Sequence, residues 1–163
     1  MIVIGYIGIG KSTLAMNQTG YIDLDSSTFM FNNKRCDNWV TYYCQVAESL
    51  SKQGYVVFVS CHFDVIEYFK KSDERAIIIH PSIQNELEWK KKVKDRYENS
   101  KTDKDYKAWI RCLNMFKPDI AYLMTCGIPH FELDDNYDLN KFIRDIIEKN
   151  QDILNVTKIK EDK

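Results

Sequence analysis

Gly5-Tyr6-Ile7-Gly8-Ile9-Gly10-Lys11-Ser12-Thr13 reads as G-x-x-x-x-G-K-S, and more tightly as G-x-x-G-x-G-K-S-T. Apolar Met1-Ile2-Val3-Ile4 precedes it and helix-compatible Thr13-Leu14-Ala15-Met16 follows it. Strand, glycine loop and helix N-terminus are the context this spacing needs. Glycines let the chain curl so that successive N–H groups point inward at phosphate oxygens. A helix starting at Lys11 adds N–H donors and a positive dipole end. The Lys11 ammonium suits β- and γ-phosphates, and the Ser12 hydroxyl suits Mg²⁺. The plain alternative is a glycine turn that matches by chance; the preceding strand and the full Gly-Lys-Ser-Thr ending argue against it. The expectation is a nucleoside triphosphate cradled by residues 5–13.

Outward from the loop, Tyr21-Ile22-Asp23-Leu24-Asp25 reads as a short strand, with Gly20 stopping the helix before it. Alternation sets Ile22 and Leu24 on one face and Asp23 and Asp25 on the other. Ligands in open α/β sheets sit outside the carboxyl ends of strands, which is where these carboxylates fall. The competing reading makes Asp23 or Asp25 a turn residue or a cap for Ser26-Ser27-Thr28. Residues 29–38, with Asn32-Asn33-Lys34-Arg35, form a polar, irregular stretch that is either a substrate loop or solvated surface. A helix spans 39–53, carrying Val40, Tyr43, Cys44, Ala47 and Leu50 at helical spacing. Its Trp39, Tyr42 and Tyr43 are either a stacking surface for a base or, more commonly at such spacing, core.

Tyr55-Val56-Val57-Phe58-Val59-Ser60 is the clearest buried strand. It runs into Ser60-Cys61-His62, so polar groups again stand at a carboxyl end. Ser60 suits a metal-bound water, and His62 suits substrate or phosphate; His62 as a partner of the helix over 64–70 is the equal alternative. A fourth strand, Ala76-Ile77-Ile78-Ile79, ends at His80-Pro81-Ser82, where Pro81 blocks continuation and Ser82 caps. The charged helix over 83–99 holds Trp89 and Lys90 to Lys94. Each lysine reads as solvated face. Arg96, just before a polar break over 98–105, reads as a phosphate-binding arginine, because its planar fork binds phosphate oxygens bidentately. Arg111, on a helix over 104–114, is the second candidate. Pro118 opens a separate helix to Cys126, with Trp109, Ile110 and Leu113 of the preceding helix facing in. Pro129-His130-Phe131-Glu132-Leu133 is the fifth strand. The turn over Asp134-Asp135-Asn136-Tyr137 is placed where an adenine would rest, Asp138 caps a last amphipathic helix, and residues 151–163 form a polar tail.

The alternation predicts an α/β domain over 1–150, with one parallel five-stranded sheet and helices on both faces as a three-layer sandwich. At 163 residues, 44% hydrophobic and 29% charged, the composition is that of an ordinary globular chain. The net charge of -1 gives no general attraction to a polyanion, which argues against a nucleic-acid partner. No run reaches the ~18–20 apolar residues that would span a bilayer. A cleaved signal peptide would remove the glycine motif. The five cysteines are odd in number and lack C-x-x-C, which predicts reduced thiols and a cytoplasmic setting. Lys, Ile, Asn and Tyr in abundance hint at an AT-rich genome, such as a low-GC bacterium or its phage. The sequons at Asn17 and Asn155 mean nothing in such a setting.

G-x-x-G-x-G-K-S-T with Asp-x-Asp on the next strand resembles the small P-loop kinases: the nucleoside and nucleotide kinases, shikimate kinase and gluconate kinase. The resemblance extends over most of the chain. Leu87 to Tyr97 with the polar break looks like their lid, here around 96–106, and Phe131-Glu132-Leu133-Asp134 followed by Asp138 looks like their ending. It implies strand order 2-3-1-4-5, Mg²⁺, and transfer of the ATP γ-phosphate to a small acceptor. Carried over, Gly5, Gly8, Gly10, Lys11 and Ser12 match the loop. Asp25 would orient or deprotonate the acceptor, Asp23 would hold a Mg²⁺-bound water, and Arg96 would be the lid arginine. The chain departs from adenylate kinase in having Ser60-Cys61-His62 where an Asp-Gly-x-Pro-Arg segment would stand, and its first helix is short.

The function expected is an ATP-dependent phosphotransferase. Phe29, Phe31, Trp39 and Tyr43 near the acceptor side favour a nucleoside or (deoxy)nucleoside monophosphate as acceptor. The expected assembly is a monomer or homodimer. The alternative is a nucleotide-dependent switch or binding module acting through a protein partner. A polynucleotide 5′-kinase is a minor variant, kept open by the basic helix around Lys90 to Lys94.

Overall fold

In the computed structural model the described residues are 1–31, 34–134 and 136–149. The tail expected over 151–163, Asn155, the Asn32-Asn33 pair and Asp135 of the expected turn lie outside them. The first apolar run forms β1 (Ile2–Gly5), whose residues are all buried. β1 is central, as a strand apolar on both faces must be. It pairs in parallel with β5 (Val56–Ser60) on one side and with β6 (Ala76–Pro81) on the other. β2 (Tyr21–Asp23) adds to β5, and β7 (His130–Leu133) adds to β6, again in parallel. In register, Ile2, Val3 and Ile4 face Val57, Phe58 and Val59 across one ladder and Ala76, Ile77 and Ile78 across the other.

Two further strands were not expected. β3 (Met30–Phe31) and β4 (Lys34–Arg35) form an antiparallel hairpin apart from the main sheet, where the sequence reads as an irregular loop. Two residue pairs are too few to leave a period-2 pattern, which is why the sequence hides them. The hairpin shifts the numbering, so the sheet order is β2-β5-β1-β6-β7 rather than a plain 2-3-1-4-5. Counted among the sheet's own strands, this is second, third, first, fourth, fifth.

α1 (Lys11–Asn17) follows the glycine loop directly. α2 (Trp39–Lys52) packs on β1 and β5, and against α3 (Phe63–Phe69). A 3-10 turn over Ile83–Asn85, capped by Ser82, leads into α4 (Glu86–Ser100). α5 (Asp103–Thr125) packs on β6 and lies against α4, and α6 (Leu139–Lys149) closes the described chain. This α/β arrangement is consistent with a three-layer sandwich.

α5 corrects the expectation of two helices divided near Pro118. It is one helix of 23 residues with Pro118 inside it. Interior proline costs about 3 kcal/mol, from the lost hydrogen bond and the clash with the preceding turn. Cys112, Phe116, Ile120 and Leu123 are buried along one stripe that spans the proline. At about 1.5–3 kcal/mol for each large apolar side chain, their burial outweighs that cost. Leu113, expected to face in, is exposed instead.

The polar break expected over 98–105 contracts to Lys101 and Thr102. Lys101 takes the left-handed conformation at φ 54°, and its N–H donates to the Tyr97 carbonyl. The Thr102 side chain caps α5 by accepting from the Asp105 N–H at 3.2 Å. Tyr97 stacks on Trp109 at 5.5 Å, which holds the two helices together beside the corner.

Candidate functional site

Because the sheet is parallel, the residues following β1, β2 and β5 emerge at one edge. The glycine loop, Asp23 to Ser26, and Ser60 to His62 therefore converge. The loop leaves β1 at Gly5 and enters α1 at Lys11. Gly8 has φ +85°, and a Cβ there would come within 3.2 Å of Val93 and 3.4 Å of the Trp89 indole nitrogen. Both conformation and space call for glycine. At Gly5 a Cβ would stand 2.7 Å from the Lys11 side chain, so glycine leaves the groove in which the lysine stem lies. Tyr6 and Ile9 turn their side chains into the core. They leave the loop backbone, not those side chains, to meet a ligand.

Lys11 folds back over the loop, donating to the Gly5 carbonyl at 2.8 Å and the Tyr6 carbonyl at 3.0 Å. Burial lowers its pKa, while Cys61 and Asp23 oppose the shift. An ammonium has three donors, so one remains for a ligand. The Ser12 hydroxyl donates to Asp23 Oδ2. That contact brings together the two residues expected at the metal.

Two side chains from distant segments hold the loop, and sequence reading missed both roles. The Trp89 indole on α4 donates to the Ile7 carbonyl at 2.8 Å. The Tyr137 hydroxyl, after β7, donates to the Ile9 carbonyl at 3.0 Å. Lys92 bridges them: its ammonium donates to Tyr137 Oη at 2.9 Å and lies 4.3 Å from the centre of the Trp89 ring.

Two cavities adjoin the loop. The larger, about 1020 Å³, runs from the loop and α1 to Lys92, Arg96 and the Tyr137 to Asn140 segment. Of the turn expected beside an adenine, Tyr137 lines this cavity, and Asp138 after it caps α6 through the Asn140 and Lys141 N–H groups. The smaller, about 180 Å³, is lined by Asp23, Asp25, Ser26, Ser60, His62 and Arg111 among others. Gly8, Lys11, Ser12, Arg96 and Lys104 line both.

Asp25 takes the capping role weighed for it in sequence and also lines the smaller cavity. One oxygen accepts from the Ser27 N–H at 2.9 Å, capping the 3-10 turn over Ser26–Phe29. The other pairs with Lys104 from the first turn of α5. Burial pulls the Asp25 pKa upward, but hydrogen bonds from Lys104 and Ser27 outweigh it and hold the carboxyl below its usual range. Lys104 was not singled out in sequence; 79 residues separate it from its partner.

Arg96 lines both cavities and is tied to Asp105, with its Nε donating at 2.7 Å. Arg111 lines the smaller cavity and binds Asp119 bidentately at 2.9 and 3.0 Å. His62 Nε2 lies 3.1 Å from the Arg35 guanidinium and 3.5 Å from Ser26 Oγ. Burial, then the positive charges of Arg35 and Arg111, push His62 down to about 4. The imidazole is therefore neutral at pH 7.

Phe29, Trp39 and Tyr43, on the acceptor side, do not form a stacking platform. Tyr43 is fully buried, donates to the Leu24 carbonyl and accepts from the Ser60 N–H, each at 2.8 Å. Trp39 is buried, with Arg35 over its face at 3.8 Å and the His62 ring edge-on at 5.6 Å. Phe29 packs edge-on against Tyr43 at 5.2 Å and is not part of either cavity's lining. The helical spacing of Trp39 and Tyr43 marks core, the commoner of the two readings.

No group of three or more His, Cys, Asp or Glu side chains among the described residues is arranged to hold a metal alone. Mg²⁺ ordinarily takes one or two protein oxygens and completes its shell with water and phosphate. The Ser12 hydroxyl against the Asp23 carboxylate fits that need. All five cysteines are free thiols. No helix among the described residues is long and apolar enough to cross a membrane. Comparison with known proteins returns no matching family model, no similar curated protein and no similar solved structure.

Proposed function

We propose that the protein is an ATP-dependent phosphotransferase of P-loop kinase type. It moves the γ-phosphate to a small acceptor, for which nucleosides and (deoxy)nucleoside monophosphates are the first candidates. The observation that carries this reading is the pair of cavities meeting at Gly8, Lys11, Ser12, Arg96 and Lys104. A donor nucleotide in the larger cavity and an acceptor in the smaller would bring a phosphoryl group to their common wall. That wall is rich in the cations that phosphoryl transfer requires.

In this reading the loop N–H groups and Lys11 take the phosphates, with Lys11 exchanging its carbonyl contacts for phosphate oxygens. Ser12 and Asp23 would hold Mg²⁺, which would neutralise charge on the β- and γ-phosphates. Asp25 accepts the proton of the acceptor hydroxyl as its oxygen bonds to the γ-phosphorus and the bond to the β-phosphate oxygen breaks. Its depressed pKa keeps it ionised, and Ser27 fixes its orientation. Arg96 supplies planar donors to the charge that spreads over the equatorial oxygens.

The test is a coupled assay of ADP release with Mg²⁺ against nucleosides, nucleoside monophosphates, shikimate, gluconate and 5′-hydroxyl oligonucleotides. Strong stimulation by one acceptor supports the reading and names the substrate. ATP binding with no stimulation by any of them would overturn it in favour of a nucleotide-dependent binding module.

A further inference from the structure

Most cations around the smaller cavity are paired with carboxylates; Lys11 rests on loop carbonyls and Arg35 on neutral side chains. Arg96 is held by Asp105, Lys104 by Asp25 and Arg111 by Asp119. Arg35, at the end of β4, makes no ion pair among the described residues; it feels the charge of Asp64 only at longer range. Its hydrogen bonds leave from one guanidinium nitrogen, Nη2, and reach neutral groups: His62 Nε2 at 3.1 Å and Ser26 Oγ at 3.5 Å. For His62 to accept there, its proton must sit on Nδ1. The guanidinium rests 3.8 Å over the Trp39 ring, which is buried and fixed at the start of α2. A half-buried cation held in place by an aromatic face and neutral acceptors lacks the anion that would offset its desolvation. Ser26 and His62 both line the smaller cavity, so the guanidinium stands at that cavity's edge.

We propose that Arg35, positioned by His62 and joined by the Ser26 hydroxyl, binds an oxyanion carried by the phosphoryl acceptor, a phosphomonoester or a carboxylate. This rests on the phosphotransferase reading and narrows it: the acceptor is an acid and not a neutral nucleoside. Asp25, capping the turn that starts at Ser26, receives the reacting hydroxyl, and Arg35 receives the far, charged end. The planar fork of arginine suits either oxyanion, and a lysine in its place would not reproduce it. Trp39 serves only to position Arg35.

The binding arm of the test uses the full chain saturated with a non-hydrolysable ATP analogue, so that the loop is filled, and inorganic phosphate and acetate as probes. The Trp39 indole N–H resonance, assigned by its loss in Trp39→Phe, reports the site. The expected result is a saturable shift with phosphate, acetate or both, and the stronger probe tells phosphomonoester from carboxylate. The shift should need at least ~10-fold more anion in Arg35→Lys and Arg35→Gln, the loss of about one charge-assisted contact. The kinetic arm expects monophosphates or hydroxy acids to be accepted in preference to uncharged nucleosides, and Arg35→Gln to raise acceptor KM with ATP KM unchanged. No response at Trp39 to either anion would overturn the proposal even in an active enzyme, as would a nucleoside phosphorylated as well as its monophosphate. A Trp39 response with no acceptor-stimulated turnover would sustain the oxyanion site and remove the phosphotransferase reading.

Discussion

The two sides of Lys11 are built differently. On the loop side, backbone carbonyls are held by side chains from far along the chain: Trp89 on Ile7 and Tyr137 on Ile9. Neither contact needs to break for phosphate to meet the loop N–H groups. On the small-cavity side, Asp25, Arg96 and Arg111 are each held by an opposite charge. Most of those pairs are partly exposed, and such pairs contribute little net stability and exchange partners readily. One side is a fixed cradle and the other a set of contacts that an arriving ligand can trade. The lesson is that the same edge of a sheet supports a rigid subsite and an adaptable one, depending on whether dipoles or charges do the holding.

Lys11, which both sides share, is where the largest effect falls. Lys11→Ala should cut ATP turnover by at least about a hundredfold, the scale of losing a preorganised donor to developing charge. Its far-UV circular dichroism should match wild type; retained turnover would remove Lys11 from the chemistry. Next in size, Asp25→Asn should slow acceptor phosphorylation by about a hundredfold through loss of the base. ATP affinity by calorimetry should hold, and an equal loss of both would make Asp25 a structural cap only. Arg96→Ala should lower kcat by about tenfold or more, the effect of removing a transition-state contact. An Arg96→Ala rate within about twofold of wild type would leave the arginine as a partner of Asp105 alone. On the rigid side, Trp89→Phe keeps the ring and removes the indole donor, at a cost of about 1–3 kcal/mol for the carbonyl left unpaired. It should weaken ATP binding while acceptor KM stays put, and a change confined to the acceptor would refute the division.

The last effect is on stability and concerns protons. His62 titrates near 4 in the native protein and near its ordinary 6.5 when unfolded. Between these values the unfolded chain binds more protons, so His62 contributes stability above pH 6.5 that is lost as pH falls toward 4. Urea denaturation of wild type should show that loss, and His62→Gln should flatten it across the same window.

Local pattern made much of this legible in sequence. β1, β5 and β6 are unbroken apolar runs, and buried parallel strands must read that way. Ser12 and Asp23, each expected at the metal, meet because the segments that carry them end at one sheet edge. What stayed hidden had no local signature. The Met30 to Arg35 hairpin is too short for a period, and Pro118 reads as a helix start unless the stripe on both sides of it is known to be buried. Trp89 reads as one more apolar point on a charged helix, although its donor reaches a carbonyl 82 residues away. Lys104 looks like any exposed cation until the fold supplies Asp25, and Arg35, which sequence leaves between substrate loop and solvated surface, bonds only neutral groups once folded.

Trp89 has one more consequence. Its indole is bonded to the glycine loop and covered by the Lys92 ammonium, which also borders the large cavity. A cation over an indole alters its excited-state dipole and therefore its emission. A triphosphate that draws Lys92 off the ring should change the colour and yield of that emission, which would give the proposed nucleotide site an optical gauge of its occupancy. With Trp39 and Trp109 replaced by Phe, a fluorimeter alone would follow filling and emptying of the loop in real time.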